Sequence, residues 1–363
     1  MIRLRIIGFP ILPAPIKAIF FMAVITSFSE CYNRIYFTDN IIERTGALHE
    51  MNRRISVVIA AYNGVKFLRE QLDSIYEQIL KPDEVIIADD FSDDGTFDFC
   101  RKYIDDRNLH GWTVYRNAKN LGVSRNFREA LRHATGDYVF TCDQDDIWMP
   151  DKISAMAAAM NDNPAILLLA SNYIPFRDGE KIAHSYVKNL ARDDGEIIPL
   201  RLKDYWLGNL RPGCTFCFRR EIIDRFSVMD IDTRLHDSML WKYAIVADGL
   251  YLMCRQLVLY RRHDSNATNQ FRRTPPNISQ RVKNADIDAE MCRKFLDASD
   301  GLAIPEHNRK ALRRMIHFLS RRKKILEGRN PVIIAVFVLL NLRYYQTFRN
   351  ALSDIYASIK LRD

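Results

Sequence analysis

Two carboxylates that follow an apolar run carry the most informative chemistry in the sequence. Asp143-Gln144-Asp145 comes directly after the apolar run 138–142. Carboxylates spaced two residues apart at a strand end point to the same side and can hold one hard divalent cation through oxygen. Such a cation neutralises a diphosphate, which leaves readily only when its developing charge is met. The segment therefore predicts a Mg²⁺ or Mn²⁺ site that serves phosphate chemistry.

The elements that must position these carboxylates alternate between strand and helix. Apolar residues recur at helical spacing between short β-branched runs, which predicts a mostly parallel twisted sheet flanked by helices. In such an α/β fold the sites lie at the carboxyl ends of the strands. We expect strands over residues 55–61, 84–88, 113–115, 138–142 and 165–170, and helices over about 68–79, 95–107 and 123–134. We expect residues 172–200 to form an irregular loop that carries acceptor specificity.

The turn after the first strand excludes two common nucleotide sites. It reads Ala60-Ala61-Tyr62-Asn63-Gly64, with no Gly-x-Gly-x-x-Gly, and no Gly-Lys-Ser/Thr follows any strand. Dinucleotide and P-loop sites require those glycines where backbone meets phosphate. A sugar-nucleotide pyrophosphorylase would need a glycine-rich loop with Arg and Lys at the same place, which is missing too.

Composition and charge exclude further classes of protein. The 363 residues include 53 Lys+Arg and 45 Asp+Glu, a net charge of +8, and 48% are hydrophobic, as in globular proteins. Residues 301–363 carry 13 basic and 4 acidic residues, so the remainder has a charge of −1. A chain-wide nucleic-acid-binding surface is therefore not expected. The seven cysteines are scattered and odd in number, which indicates a reducing compartment and no disulfide framework.

The two ends of the chain differ from its body. Residues 16–28 are largely apolar, but nearby prolines and the lack of a cleavage site argue against a signal peptide. Because Met51 opens a sequence typical of a natural start, we expect residues 1–50 to be an extension without packed structure or a misassigned start. Residues 331–342 are apolar and lie between basic clusters and Arg343-Tyr344-Tyr345. This pattern predicts peripheral membrane contact through 305–350, and a buried core helix is the alternative.

Several segments, taken in chain order, support a specific resemblance. They are residues 57–63, 84–90 with Ser92 and Gly95-Thr96, 120–122, 136–138, and 143–148 with Asp151-Lys152. Together they resemble family 2 glycosyltransferases of the GT-A fold, over about residues 54–265. The form Cys-Asp-Gln-Asp-Asp-Ile-Trp at 142–148 is similar to the rhamnosyltransferase-like branch.

The resemblance implies roles for residues at the strand ends. Asp89 and Asp90 would contact the base of a nucleotide, with backbone at Ala60 and Tyr62 lining the same pocket. Asp143 would face the ribose or the metal. Asp145 would bind Mg²⁺ or Mn²⁺, and His263 would reach the metal or the diphosphate. Trp148 would pack beside the sugar, with a core indole as the alternative; Lys152 is expected at the surface, and Asp93-Asp94-Gly95 as a turn and helix cap.

The second half must supply the acceptor site and a base. The segment that opens at Arg211 and contains Gly213 predicts a strand near the donor sugar. His236-Asp237 opens a helix, and the resemblance implies that Asp237 is the general base. An inverting transfer needs one carboxylate to take the proton from the attacking hydroxyl. A helix N-cap is the alternative role for Asp237.

These observations predict an enzyme, a glycosyltransferase of the hexosyltransferase type. It would be inverting and metal-dependent, and would move a sugar, with rhamnose the leading candidate, from a dTDP or UDP donor to a hydroxyl of a cell-surface polysaccharide or lipid-linked glycan. We expect it in the cytoplasm, at the inner face of the cell membrane. A catalytically lapsed nucleotide-sugar-binding module in a glycan-synthesis complex is the alternative.

The predicted organisation has three parts. Residues 1–50 form the extension, and residues 51–270 form a GT-A catalytic domain. That domain divides into a nucleotide-binding half, 51–150, and an acceptor half, 151–270. Residues 271–363 form a helical, basic C-terminal segment.

Overall fold

A computed structural model describes residues 53–177, 179–182, 190–205, 210–227, 236–264, 277–298, 301–345 and 348–360. The predictions for residues 1–50, including the apolar run 16–28, lie outside the described residues. Apart from 179–180, the described residues belong to one compact unit. No described helix is long and apolar enough to cross a membrane.

The strands of this unit form one sheet. They are β1 (Ile55–Ala61), β2 (Glu84–Asp89), β3 (Trp112–Arg116), β4 (Tyr138–Asp143), β5 (Ile147–Trp148), β6 (Leu168–Arg177), β7 (Glu180–Lys181), β8 (Ile197–Pro199), β9 (Phe216–Arg219) and β10 (Leu250–Arg261). The main path through the sheet is β3-β2-β1-β4-β9-β6-β10-β5. Strands β3, β2, β1 and β4 are parallel to one another. Strand β9 is antiparallel to both β4 and β6.

Helices cover the sheet and extend beyond it. They are α1 (Val65–Tyr76), α2 (Thr96–Asp106), α3 (Val123–Leu131), α4 (Lys152–Asp162), α5 (Leu202–Tyr205), α6 (Glu221–Ser227), α7 (His236–Val246), α8 (Ile278–Asp297), α9 (Glu306–Glu327), α10 (Pro331–Leu340) and α11 (Phe348–Lys360). Two 3₁₀ turns occupy Gly213–Thr215 and Leu342–Tyr344. The α/β fold with C-terminal helices that the sequence predicted is confirmed.

The first strand shows why the centre of the sheet forms from these residues. All seven residues of β1 are buried, as expected for a parallel strand covered on both faces, which needs a continuous apolar run. Helix α1 buries Leu68, Leu72 and Ile75, spaced four and three residues apart. That spacing places the three side chains on one helix face, so the strand and helix patterns in the sequence agree with the tertiary structure.

Two predicted boundaries in the second half are wrong. Strand β6 continues to Arg177, and β8 pairs with β10, so the described part of 172–200 is not simply an irregular loop. The predicted strand at Arg211 begins only at Phe216, after the 3₁₀ turn. Strand β6 is long because it pairs with β10 as far as Phe176, and β9 pairs with β4 and β6 only from Phe216 onward. These partners are distant in the chain, so local sequence does not reveal them.

One buried carboxylate ties the C-terminal helices together. Asp354 of α11 accepts hydrogen bonds from Arg281 of α8 at 3.0 Å and from Arg322 of α9 at 2.7 and 2.8 Å. The hydroxyl of Tyr345 donates to it at 2.8 Å. Burial raises the pKa of Asp354, but hydrogen bonds and the positive charge of Arg322 outweigh burial and leave the pKa below its ordinary value.

Replacing Asp354 by Asn should lower the free energy of unfolding by about 3 kcal/mol, because two buried guanidinium groups lose their counter-charge. A carboxylate with a depressed pKa stabilises the fold above its unfolded pKa and loses that effect as pH falls through the folded one. The deficit of the variant should therefore be full above about pH 5 and shrink below about pH 4. Urea denaturation across this pH range measures it.

Asp297→Asn, at an exposed position near the end of α8, is the matched control and should unfold like the wild type. If the loss of unfolding free energy in Asp354→Asn were the same at neutral pH and below about pH 4, the assigned ionisation of Asp354 would be wrong.

Candidate active site

The strand ends that carry chemistry lie side by side in the sheet. The register pairs Ala61 at the end of β1 with Asp89 of β2, and Ala60 with Asp143 of β4. The carboxyl ends of parallel strands share one edge, so the loops that follow them meet there. The structure thus brings the predicted nucleotide segments and the predicted metal segment to one edge.

Gln144 closes the turn after β1. Its side-chain amide accepts from the backbone N–H of Tyr62 at 2.7 Å and donates to the carbonyl of Tyr62 at 3.0 Å. A Cβ at Gly64 would meet the Gln144 Oε1 at 2.1 Å. Only glycine therefore allows this approach, and the side chain of Tyr62 remains half exposed at the site.

The two carboxylates at the end of β2 bind protein groups. Asp90 accepts hydrogen bonds from the backbone N–H groups of Leu121 and Gly122, both at 2.8 Å, and from the Asn117 side chain at 2.9 Å. Asp89 is buried and accepts from Ser92 N at 3.2 Å. The contact of these two carboxylates with a base stays a prediction, while their hydrogen bonds show that they shape the pocket wall.

The segment 93–95 forms the predicted turn and cap. Asp94 accepts from the backbone N–H of Thr96 at 3.0 Å and from that of Val65 at 3.1 Å. Gly95 has φ +89°, a conformation that glycine adopts at low cost. The segment therefore links the start of α2 to the start of α1, and the prediction is confirmed.

The turn 143–146 is held from the end of β10. Arg261 donates its backbone N–H to Asp146 Oδ1 at 2.9 Å and its Nε–H to the carbonyl of Asp145 at 2.7 Å. His263 Nε2 lies 2.6 Å from Asp145 Oδ2, and its ring stacks on Phe67 with centroids 4.7 Å apart. The structure therefore brings together Asp145 and His263, two predicted metal ligands 118 residues apart.

Three acidic side chains crowd this edge. Burial, then the like charges of Asp145 and Asp237, raise the pKa of Asp143 well above its ordinary value. Burial, then Asp145 and Asp143, do the same to the pKa of Asp146. Potential ligand atoms of Asp143, Asp146 and Cys214 lie within 4.8 Å of one another. Repulsion among such groups is relieved by a cation, and the oxygen-rich donor set fits Mg²⁺ or Mn²⁺.

Asp237 lies in the first turn of α7, which begins at His236, and its charge contributes to the raised pKa of Asp143. It accepts a hydrogen bond from Ser238 N at 2.6 Å and another from the backbone N–H of Gly213. Burial raises its pKa, which makes its carboxylate a stronger base. A Cβ at Gly213 would meet the Asp237 Cβ at 2.9 Å, so glycine permits this contact.

His236 faces away from the charged groups. Its ring stacks on Phe127 with centroids 3.8 Å apart, and burial lowers its pKa to about 3, which keeps the imidazole neutral. Among the described residues neither ring nitrogen has a hydrogen-bond partner. His236 therefore packs beneath Asp237 and supports the helix start.

Two predicted positions need correction. Trp148 is 2% exposed and packs against Phe140, so it belongs to the core, the alternative that the sequence left open. Lys152, expected at the surface, is fully buried. Its Nζ lies 4.8 Å from the Trp148 ring centroid and contacts Met156 Sδ at 3.5 Å. Burial, partly offset by Cys214, Cys217, Cys142 and Asp146, lowers its pKa to about 8.

Sequence reasoning missed several residues that shape the site. Asn117 and Asn126 bond to one another, and Asn126 also donates to the carbonyl of Ala88. Gln144 and Asp146 were part of a quoted motif but received no role. The sequence did show an amide and a carboxyl group directly beside the predicted metal ligands. It could not show their partners, which belong to distant segments of the chain.

Comparison with known proteins identifies the family of the chain. Residues 56–226 match the family model described as Glycosyl transferase family 2. The dTDP-rhamnosyl transferase RfbG of Shigella flexneri is 27% identical over 227 residues, which are 57% of this chain and 72% of that protein. The putative teichuronic acid biosynthesis glycosyltransferase TuaG of Bacillus subtilis is 30% identical over 192 residues, 52% of this chain and 70% of that one.

Among solved structures, residues 1–349 of S. aureus TarS, in complex with UDP-GlcNAc, give a TM-score of 0.56 at 17% identity. The match covers 85% of this chain and 91% of that chain. At this identity the likeness concerns the fold alone.

Replacing Lys152 by Met should change the pH dependence of stability. Between about pH 8 and pH 10.5 the unfolded chain keeps the lysine proton that the folded chain has lost, so stability of the wild type rises with pH. As pH rises across that interval, the difference in unfolding free energy between the wild type and the variant should therefore change by about 1 to 3 kcal/mol in favour of the wild type. Lys102→Met, at an exposed lysine, is the control, and parallel curves for Lys152→Met would contradict the burial of its charge.

Proposed function

Because the chain belongs to the family 2 glycosyltransferases, and is thus a glycosyltransferase, we propose that it performs an inverting, metal-dependent transfer. One sugar would pass from a nucleoside-diphosphate donor to a hydroxyl of a surface polysaccharide or lipid-linked glycan. The observation that carries the proposal is the position of Asp237, which packs against Gly213 and lies close enough to Asp143 for its charge to raise the pKa of that carboxyl.

Asp237 is the proposed general base. Its carboxylate takes the proton of the acceptor hydroxyl as that oxygen bonds to the anomeric carbon. The bond from the anomeric carbon to the diphosphate breaks on the opposite side, and its electron pair leaves with the diphosphate. The hydrogen bonds from Gly213 N and Ser238 N hold the carboxylate in one orientation, which favours a single direction of attack.

Asp143, Asp145 and His263 are the residues proposed to hold the divalent cation. Bound there, Mg²⁺ or Mn²⁺ would supply positive charge for the diphosphate leaving group. Arg261 and Phe67 keep this turn in place, Arg261 by hydrogen bonds to the backbone and carboxylate of the turn and Phe67 by stacking on His263.

The donor pocket is proposed at the ends of β1 and β2. Ala60 and Tyr62 contribute backbone, and Asp89 and Asp90 support the wall on which the base would rest. Similarity to a dTDP-rhamnosyl transferase supports dTDP-rhamnose as the donor, and the chemistry of the pocket is equally open to UDP. All six described cysteines are free, which supports a reducing, cytoplasmic location.

Asp237→Asn should leave donor binding unchanged and lower the rate of sugar transfer by at least about a hundredfold, since an amide cannot accept the proton. The amide is nearly isosteric, and its oxygen can still accept from Ser238 N. Asp297→Asn is the matched control and should transfer at the wild-type rate. Release of nucleoside diphosphate with membrane extract as acceptor measures transfer. Full activity of Asp237→Asn would overturn the assigned base.

A nucleoside diphosphate should raise the thermal unfolding midpoint only when Mn²⁺ is present, because binding to the folded state stabilises it. We expect dTDP to give the largest shift in a panel with UDP and GDP, and Asp145→Ala to abolish the dependence on Mn²⁺. Asp264→Ala, next to the site but outside the proposed ligand set, is the control. Metal-dependent binding without transfer by the wild type would instead favour a catalytically lapsed nucleotide-sugar-binding module.

A further inference from the structure

The exposed apolar side chains of the protein are concentrated at its C-terminal end. Of the sixteen large hydrophobic residues that are exposed in the described part of the chain, ten lie between 332 and 359, with exposed fractions from 38 to 77%. Contiguous apolar surface of this kind marks an interaction site more often than chance exposure. Five of the ten lie on α10: Val332, Ile333, Val336, Leu339 and Leu340. We call these five residues the apolar face.

The apolar face is the outer side of a helix that is apolar all round. The opposite side of α10 buries Ile334, Phe337 and Val338, two of which share a small core with Ala351 of α11. The prediction from sequence left open a buried helix or a membrane contact, and the structure shows that half of α10 is core. The other half has no covering element among the described residues.

Helix α11, which packs against α10, exposes a second row of apolar side chains. Phe348, Leu352, Tyr356 and Ile359 are exposed and recur every three or four residues, so they form one stripe along the helix. The side of α11 that packs inward carries Ala351 and the buried Asp354. Two helices in contact thus both bury one side and expose an apolar stripe on the other.

A basic stripe borders the apolar face. Lys310, Arg314, His317, Arg321 and Lys324 are exposed on α9 at spacings of three or four residues, and none of them forms an ion pair within the described chain. Arg321 lines a groove of about 500 Å³ together with Val332 and Val336, so the basic stripe and the apolar face meet.

We propose that this surface docks on an anionic lipid bilayer, with α10 lying in the plane of the headgroups. The apolar face would enter the boundary between headgroups and acyl chains, while the α9 stripe pairs with lipid phosphates. At ten residues α10 is too short to span a bilayer. A helix that lies on a membrane surface needs an exposed apolar side and basic residues beside it, and this part of the protein has both.

The positive charge of the C-terminal segment favours an anionic lipid surface over a second copy of the chain as the partner of the apolar face. Residues 301–363 carry thirteen basic and four acidic residues. A symmetric dimer built on the apolar face would bring two such segments, and two α9 stripes, close to one another. Like charges at an interface are unfavourable, whereas an anionic surface complements all of them at once.

Co-sedimentation of the full chain with vesicles tests this proposal. We expect binding to vesicles of equal parts phosphatidylglycerol and phosphatidylcholine, weakening as salt is raised, and little binding to phosphatidylcholine alone. Arg321→Gln with Lys324→Gln should weaken binding by about thirtyfold. Arg101→Gln with Lys102→Gln removes two exposed charges from α2 instead and should not change it.

The contribution of the apolar face is tested with the double variant Val336→Asp, Leu339→Asp, which changes two of its exposed positions. This pair should abolish vesicle binding while leaving the thermal midpoint and nucleotide binding intact. Tyr76→Asp with Ile79→Asp, at two exposed apolar positions in or just beyond α1, is the matched control and should still bind. Binding that survives the changes on the apolar face would overturn the proposal. So would absence of binding together with a dimer, seen by sedimentation velocity, that those changes dissociate.

Discussion

The crowding of carboxylates at the end of β4 is the constraint on which the rest of the site depends. Burial raises the pKa of both Asp143 and Asp146, the charge of Asp145 raises both further, and the charge of Asp143 also raises the pKa of Asp146. Separate elements hold this arrangement in place, because Arg261 from β10 clamps the backbone of the turn. The proposed cation would relieve this repulsion, which is the reason for proposing the metal site at this turn.

The antiparallel strand β9 helps to position the proposed base. It lies between β4 and β6, and the turn that leads into it places Gly213 against Asp237. Thr141 of β4 donates its hydroxyl proton to the carbonyl of Gly213 at 2.6 Å. Strand β4, which bears the acidic turn, therefore also holds Gly213, the residue that contacts the proposed base, so the proposed metal ligands and the proposed base are fixed relative to one another.

The C-terminal helices are held to one another by a buried ionic cluster and by apolar packing. Asp354 connects three helices through two guanidinium groups, and Phe318 of α9 stacks on Phe337 of α10 with centroids 5.6 Å apart. A directional cluster of this kind fixes how the helices are oriented. It leaves one side of α10 outside the core, and this outward side has the composition of a surface that binds lipid.

The sequence determined the alternating strands and helices, the strand-end acidic residues and the helix that starts at His236. These features follow from local periodicity and from residue type, which act over a few neighbouring positions. The tertiary structure decided the burial of Lys152, the core position of Trp148 and the length of β6, because each depends on partners far away in the chain. It also decided that α10 is half buried, since an entirely apolar helix carries no pattern that distinguishes its inner side from its outer one.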